Sequence, residues 1–262
     1  MSPTEPLSLQ AALESRRESG GKCLVPYLTG GLPGWELMLS AVASAGADGI
    51  EVGIPFSDPV MDGPIIQESS ELALAAGATP PGILDALSRL DCEVPLAVMT
   101  YVNLVYRFGY ERFAASMVRA GVSAAILPDV PLEEAGDWCA AADAAGVQTV
   151  MLAAPTSPDE RLVSIVERSS GFVYAVGLLG ITGERDSLAA SAKVIAKRLK
   201  EVTDLPVLVG VGISTPEQAV EVCEVADGVV VGSAVVRRIV ETGSPESVAE
   251  LVGTFRDALD KG

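Results

Sequence analysis

The most constraining feature of this chain is a rhythm. Eight short, apolar, β-branched runs recur along it, and stretches rich in Ala, Leu, Glu and Arg alternate with them. The runs fall at 23–28 (CLVPYL), 48–52 (DGIEV), 95–100 (PLAVMT), 124–127 (AAIL), 148–152 (QTVML), 172–176 (FVYAV), 206–210 (PVLVG) and 228–231 (GVVV). They are apolar on both faces, as parallel strands covered by helices must be. Turns such as AGADGIEV, AGVSAAIL and AAGVQTVML place a glycine between a helix and the next strand, where a C-cap needs a left-handed residue. Eight strand–helix units favour a closed barrel over an open doubly wound sheet, and 262 residues is an ordinary length for one barrel. The expectation is an α/β fold, a (β/α)8 TIM barrel, as a single domain over residues 1–262 with no linker tract to divide it.

A barrel assigns addresses. Residues at strand C-terminal ends and in the loops that follow face the active site, and those at the opposite end serve stability. That rule selects Tyr27 and Thr29, Glu51 and its loop, Tyr101 and Asn103, Asp129, Tyr174 and its loop, Gly212, Gly232 and Ser233.

Composition narrows the chemistry these positions can perform. The chain has no histidine, which removes Ser-His-Asp and Cys-His machinery and disfavours zinc and iron sites. Acid–base work then falls to carboxylates, tyrosine or lysine. Lys22 precedes strand one at the wrong end of the barrel, and Lys193, Lys197 and Lys200 share one helix, so none is placed for a Schiff base. Cys23, Cys92, Cys139 and Cys223 are isolated and read as small buried side chains in a reducing cytosol. The net charge of −17 comes with scattered basic residues, so nothing neutralises a row of nucleic-acid phosphates. No secretory leader and no apolar run of about 18 residues is present. We expect a cytoplasmic protein without nucleic-acid or membrane partners, metal or cofactor.

Three motifs carry chemistry. In EVGIPFSDPVMDGPIIQ (51–67) Glu51 closes an apolar strand and Asp62 lies in the loop after it. A lone glutamate there is either bonded to loop amides or catalytic; two carboxylates on one rim, joined by a Pro/Gly-rich loop, tilt the reading toward catalysis. Next, Gly212 in VGVGISTPEQA, Gly232 and Ser233 in VVVGSAVV, and Gly183 in GLLGITGERD come from the loops after strands seven, eight and six. Glycines and helix N-termini there present backbone N–H groups to a phosphate; any one alone would only mark a tight turn. Finally, the stretch 177–192 is long, Gly-rich and polar at its end, as expected of a lid, with a disordered loop as the competing reading.

These residues resemble the alpha subunit of tryptophan synthase over nearly the whole chain. PFSDPVMDGPIIQ is the most specific element, supported by VPYLTGG (25–31), TYVNLVYRFG (100–109), LPDVPLEEA (127–135), GITG (180–183), VGVGIS (209–214) and GSAVV (232–236). The resemblance implies cleavage of indole-3-glycerol phosphate to indole and glyceraldehyde 3-phosphate. It implies that Glu51 is the general acid/base, that Asp62 accepts the indole N–H, and that Tyr174 lies near the glycerol moiety. Gly183, Gly212, Gly232 and Ser233 would hold the phosphate; Thr182 and Arg185 would belong to the lid. Tyr27, Met99, Tyr101, Ile126 and Val211 would form an apolar slot for indole, or serve only as core. It further implies a pyridoxal-phosphate-dependent beta subunit that receives indole, in an alpha2beta2 complex, through the Pro55–Asp58 loop and the Asn103 region.

The chain departs from the family pattern at Gly177-Leu178, where many members carry a polar pair, and in TGGLPG, which lacks the Asp often found before that proline. Lid closure and regulation by a partner are the properties these changes touch. A stand-alone lyase releasing free indole, a weakly catalytic activating subunit and another phosphosugar-binding barrel are the rival readings.

Overall fold

Each of the eight apolar runs overlaps a strand in the computed structural model, which describes residues 6–177, 185–210 and 212–262, with backbone alone for 185–189. The chain begins α1 (Leu9–Glu18), β1 (Cys23–Thr29), α2 (Trp35–Ser44), β2 (Ile50–Gly53), α3 (Pro64–Ala75), α4 (Pro80–Leu87) and β3 (Leu96–Met99). It continues with α5 (Val102–Phe108), α6 (Tyr110–Arg119), β4 (Val122–Ile126), a 3-10 turn (Leu132–Glu134), α7 (Gly136–Ala145), β5 (Gln148–Ala153) and α8 (Asp159–Arg168). It ends with β6 (Val173–Ala175), α9 (Arg185–Lys200), β7 (Val207–Val209), α10 (Pro216–Cys223), β8 (Gly228–Val231), α11 (Ser233–Thr242) and α12 (Pro245–Lys261). Every neighbouring pair of strands is parallel, and β1 closes on β8 with Cys23 opposite Gly228. The fold is a (β/α)8 TIM barrel.

The continuous apolar strands feed two separate cores, because side chains alternate across a strand. Val25, Tyr27, Ala97, Ala124, Ile126, Val150, Phe172, Leu208 and Val230 pack inside the barrel, with Met99, Leu152 and Tyr174 against them. Their neighbours Leu24, Leu28, Val52, Val98, Ala125, Val173, Val207 and Val229 pack outward under the helices. Fully burying one such Val, Leu or Ile stabilises by about 1.5–3 kcal/mol. Leu9 and Leu13 of α1 join the interior set, so the N-terminal mouth of the barrel is plugged by a helix.

That lower end is braced by charge. Asp48 sits in the turn before β2, which starts at Ile50 rather than at 48; its Oδ2 accepts from Leu24 N–H at 2.8 Å and from Arg256 at 3.1 Å. Asp227 accepts from Val207 N–H at 2.9 Å and from Lys200 at 2.8 Å. Lys22, as expected from its position, serves this end, donating to Ala226 O at 3.0 Å.

Of the segment read as a lid over 177–192, residues 185–192 belong to a helix. Helix α9 begins at Arg185, because DSLAASA is a run of good helix formers after a first polar turn. Thr182 and Gly183 lie outside the described residues, as does Val211. Among the described residues no helix is long and apolar enough to cross a membrane, and no group of side chains is arranged to hold a metal ion.

Candidate active site

The upper rim gathers the carboxylates. Glu51 occupies the inward face of β2: its register partners Tyr27 on β1 and Ala97 on β3 both point into the barrel. It is 1% exposed, and its Oε2 has no hydrogen-bond partner among the described residues. A buried, unsatisfied carboxylate oxygen costs about 1–3 kcal/mol or more, so the group resists ionisation. Burial first, and then the charge of Asp62, push its pKa from 4.5 up to about 8.

Asp62 is delivered to the same place by a loop that cannot extend the strand. Pro55 and Pro59 interrupt it, and α3 restarts at once with Gly63 as N-cap and Pro64 in its first turn. The Asp62 carbonyl accepts from Gln67 Nε2 at 2.8 Å, and Met61 N–H donates to Tyr101 Oη at 3.1 Å. Phe56 packs on the Tyr101 ring with centroids 5.3 Å apart. Burial raises the Asp62 pKa, while the Tyr101 hydroxyl beside it favours its charge. Asp62 is only half-buried and keeps this donor, whereas Glu51 is sealed in and has none. The two environments divide the labour: Glu51 holds a proton near neutral pH and Asp62 is the better carboxylate.

Two tyrosines close the space above Glu51. A Cβ on Gly53 would stand 1.9 Å from Tyr27 Oη, and one on Gly210 would stand 2.1 Å from Tyr174 Oη. Each phenol leans over a glycine on the next strand, a close approach that only glycine permits. Burial raises the Tyr174 pKa, and the charge of Glu51 is the next cause; for Tyr27, Asp62 and Glu51 both act on it.

The expected aromatic slot is assembled in part. Tyr27, Met99 and Ile126 share the interior cluster. Tyr101 is tied instead to the carboxylate loop. Leu152 was missed; it is the next inward position of β5 after Val150, a signal that period-two counting would have found. A cavity of about 290 Å³ opens beside this site, not over Glu51, and Met61, Asp129, Leu152 and Val176 are among its lining residues. Asp129 caps α5, accepting from Val102 N–H at 3.0 Å.

The phosphate corner is described for three of its four expected residues. Gly212 has φ +89°, a conformation that favours glycine. Thr215 then starts α10 with a capping box to Gln218. Gly232 precedes α11 with φ −98° and no side-chain cap, and a Cβ there would make only ordinary contact with Tyr27 at 3.7 Å. Neither dihedral nor packing demands glycine at 232. Ser233 is exposed in the first turn of that helix.

The family model described as tryptophan synthase alpha chain matches residues 13–260. The chain is 43% identical over 253 residues to the tryptophan synthase alpha chain of Citrifermentans bemidjiense, covering 95% of this chain and 94% of that one. It is 44% identical over 257 residues to that of Gloeobacter violaceus, with coverage of 96% and 92%. Among solved structures, Mycobacterium tuberculosis tryptophan synthase matches with a TM-score of 0.88 at 35% identity, covering 98% of this chain and 100% of that chain. The tryptophan synthase subunit alpha of Legionella pneumophila matches with a TM-score of 0.88 at 33% identity, covering 97% and 99%. Barrel, carboxylate loop and glycine-rich corner all fall inside the matched span, and the chain belongs to the tryptophan synthase alpha chain family.

Proposed function

We propose that this protein is a lyase that cleaves indole-3-glycerol phosphate to indole and glyceraldehyde 3-phosphate, as the alpha subunit of a tryptophan synthase. The observation that carries the reading is Glu51: a buried carboxyl, unpartnered at Oε2 and holding its proton to about pH 8, beside the half-buried Asp62. Glu51 gives its proton to indole C3, which leaves the ring as an iminium cation. The glycerol hydroxyl on the adjoining carbon then returns a proton to Glu51. As that carbon becomes a carbonyl, the C–C bond breaks and its electrons restore the indole. The substrate's own ring is the electron sink, so neither a lysine nor a metal takes part.

Asp62 accepts the indole N–H and stabilises the cation, a charge-assisted bond worth about 1.5–3 kcal/mol. Tyr174 orients the glycerol chain. Gly183, Gly212, Gly232 and Ser233 hold the phosphate through backbone and hydroxyl donors. Tyr27, Met99, Ile126 and Val211 flank the ring, Tyr101 secures the Asp62 loop, and the lid with Thr182 and Arg185 covers the site. In this reading residues 1–262 act as one domain in the cytoplasm, without a cofactor of their own.

The partner is a pyridoxal-phosphate-dependent beta subunit in an alpha2beta2 assembly. Val60 is 76% and Tyr106 72% exposed, large apolar side chains beside the Pro55–Asp58 loop and Asn103 on the site's own rim. Indole release from indole-3-glycerol phosphate, measured with and without a beta subunit, tests the reading. Slow release that rises with the partner is expected. Fast release indifferent to it would make the protein a stand-alone lyase, and no release in either case would refute the assigned chemistry.

A further inference from the structure

Tyr27 was placed by sequence in the apolar slot, but its hydroxyl is not in an apolar place. Tyr27 and Glu51 stand opposite each other across the parallel β1–β2 pair, both facing the interior. The phenol leans across β2 until its Oη and Cζ lie 1.9 and 2.5 Å from where a Gly53 Cβ would be. Gly53 is the next inward position after Glu51, so the hydroxyl lies at the level of β2 one inward position rimward of Glu51. From there it feels Glu51, Asp62 and Tyr101 together, and the buried Thr29 hydroxyl supports it from β1. Thr29 is itself held by Ser69 Oγ at 2.7 Å.

A phenylalanine would fill the same volume. The hydroxyl adds a desolvation cost that a partner must offset, and at rest the Thr29 hydroxyl is the group beside it. Glu51 needs one too. While protonated, it tolerates an unpartnered Oε2; once its proton has gone to a substrate, a buried carboxylate without a donor is strongly disfavoured. Few groups face it. On β3 the inward residues Ala97 and Met99 offer no donor. Asp62, from the loop, is an acceptor. The Tyr174 hydroxyl, propped over Gly210 beside β7, also feels Glu51 but comes from β6 across the barrel, whereas Tyr27 is the register partner of Glu51 on the adjacent strand. Tyr101 is engaged by Met61 N–H and Asp62.

We propose that Tyr27 is a positioning residue for Glu51, its hydroxyl held over Gly53 to donate a hydrogen bond to the Glu51 carboxylate formed during turnover. The proposal rests on the function assigned above for the turnover it invokes, but its geometry does not depend on the substrate.

The test is Tyr27→Phe in the full-length protein, with the Glu51 carboxyl titrated by isotope-edited infrared spectroscopy without substrate and Glu51→Gln used to assign the band. Removing a donor to the charged form raises the Glu51 midpoint by about one pH unit. With indole-3-glycerol phosphate, kcat falls about tenfold and KM stays within twofold, since the bond is made after binding. 3-Fluorotyrosine at position 27 keeps the shape, strengthens the donor and moves the midpoint down. An unchanged midpoint in both folded variants would overturn the proposal, whether or not the wild type cleaves its substrate. If the wild type releases no indole, the assigned function fails while the midpoint comparison still decides this one.

Discussion

Glu51→Gln should abolish catalysis and stabilise the protein, and the second effect depends steeply on pH. The folded protein holds the Glu51 proton up to about pH 8, against 4.5 for an ordinary glutamate. Between those values the native state carries a proton that the unfolded chain has released, so stability falls as pH rises through the window and levels off above it. At about 1.4 kcal/mol per pH unit, and with a side chain that is 1% exposed, the charge costs on the order of 4–5 kcal/mol once fully formed. Glutamine has nearly the same shape and never ionises. The variant should therefore match the wild type near pH 4 and exceed it by several kcal/mol at pH 9. Urea unfolding of both proteins at each pH reads the difference, because the carboxylates other than Asp62, which is coupled to Glu51, titrate alike in the two. Parallel stability curves would show that Glu51 is not a buried acid and would remove the basis for its role as proton donor. Turnover of the variant should fall at least a hundredfold, with little change in ligand affinity.

Asp62→Asn should reduce turnover strongly and also lower the Glu51 midpoint, since the Asp62 charge is one cause of its elevation; an infrared midpoint that stays in place would contradict the coupling. Gly53→Ala drives a methyl into the Tyr27 phenol and should cost about 1–3 kcal/mol, measured by thermal unfolding, while Gly253→Ala, inside α12 with nothing within 4 Å of the new carbon, should be neutral or slightly stabilising. Equal melting temperatures for those two would mean that Tyr27 does not lean over β2. Ser233→Ala should raise KM several-fold with kcat nearly unchanged, because phosphate contacts persist through the reaction; a fall in kcat at constant KM would place Ser233 elsewhere.

Much of this architecture was legible from local pattern. Eight apolar runs separated by helical stretches already specify parallel strands covered on both faces, but which of the alternating sets, Val25 and Tyr27 or Leu24 and Leu28, faces the interior is set by the closed barrel. The absence of histidine and the position of each lysine were enough to direct attention to Glu51 and Asp62. PFSDPVMDGPIIQ named the family before any coordinates.

What the residue string could not carry was anything decided by contacts across strands. That α1 plugs the lower mouth with Leu9 and Leu13 depends on where a helix docks, not on its own amphipathic pattern. That 185–192, polar enough to read as part of a lid, is helical reflects helix propensity prevailing over polar character. Glu51 is an acid near neutral pH only because its neighbours exclude water and supply Oε2 with no donor. Tyr27 reads as an aromatic wall in sequence and becomes a hydroxyl beside that acid only when β1 pairs with β2 and Gly53 leaves room for it. Strand identity is local, set by side-chain chemistry repeated over a few residues; pKa and hydrogen-bond roles come from residues distant in sequence that the closed barrel brings together.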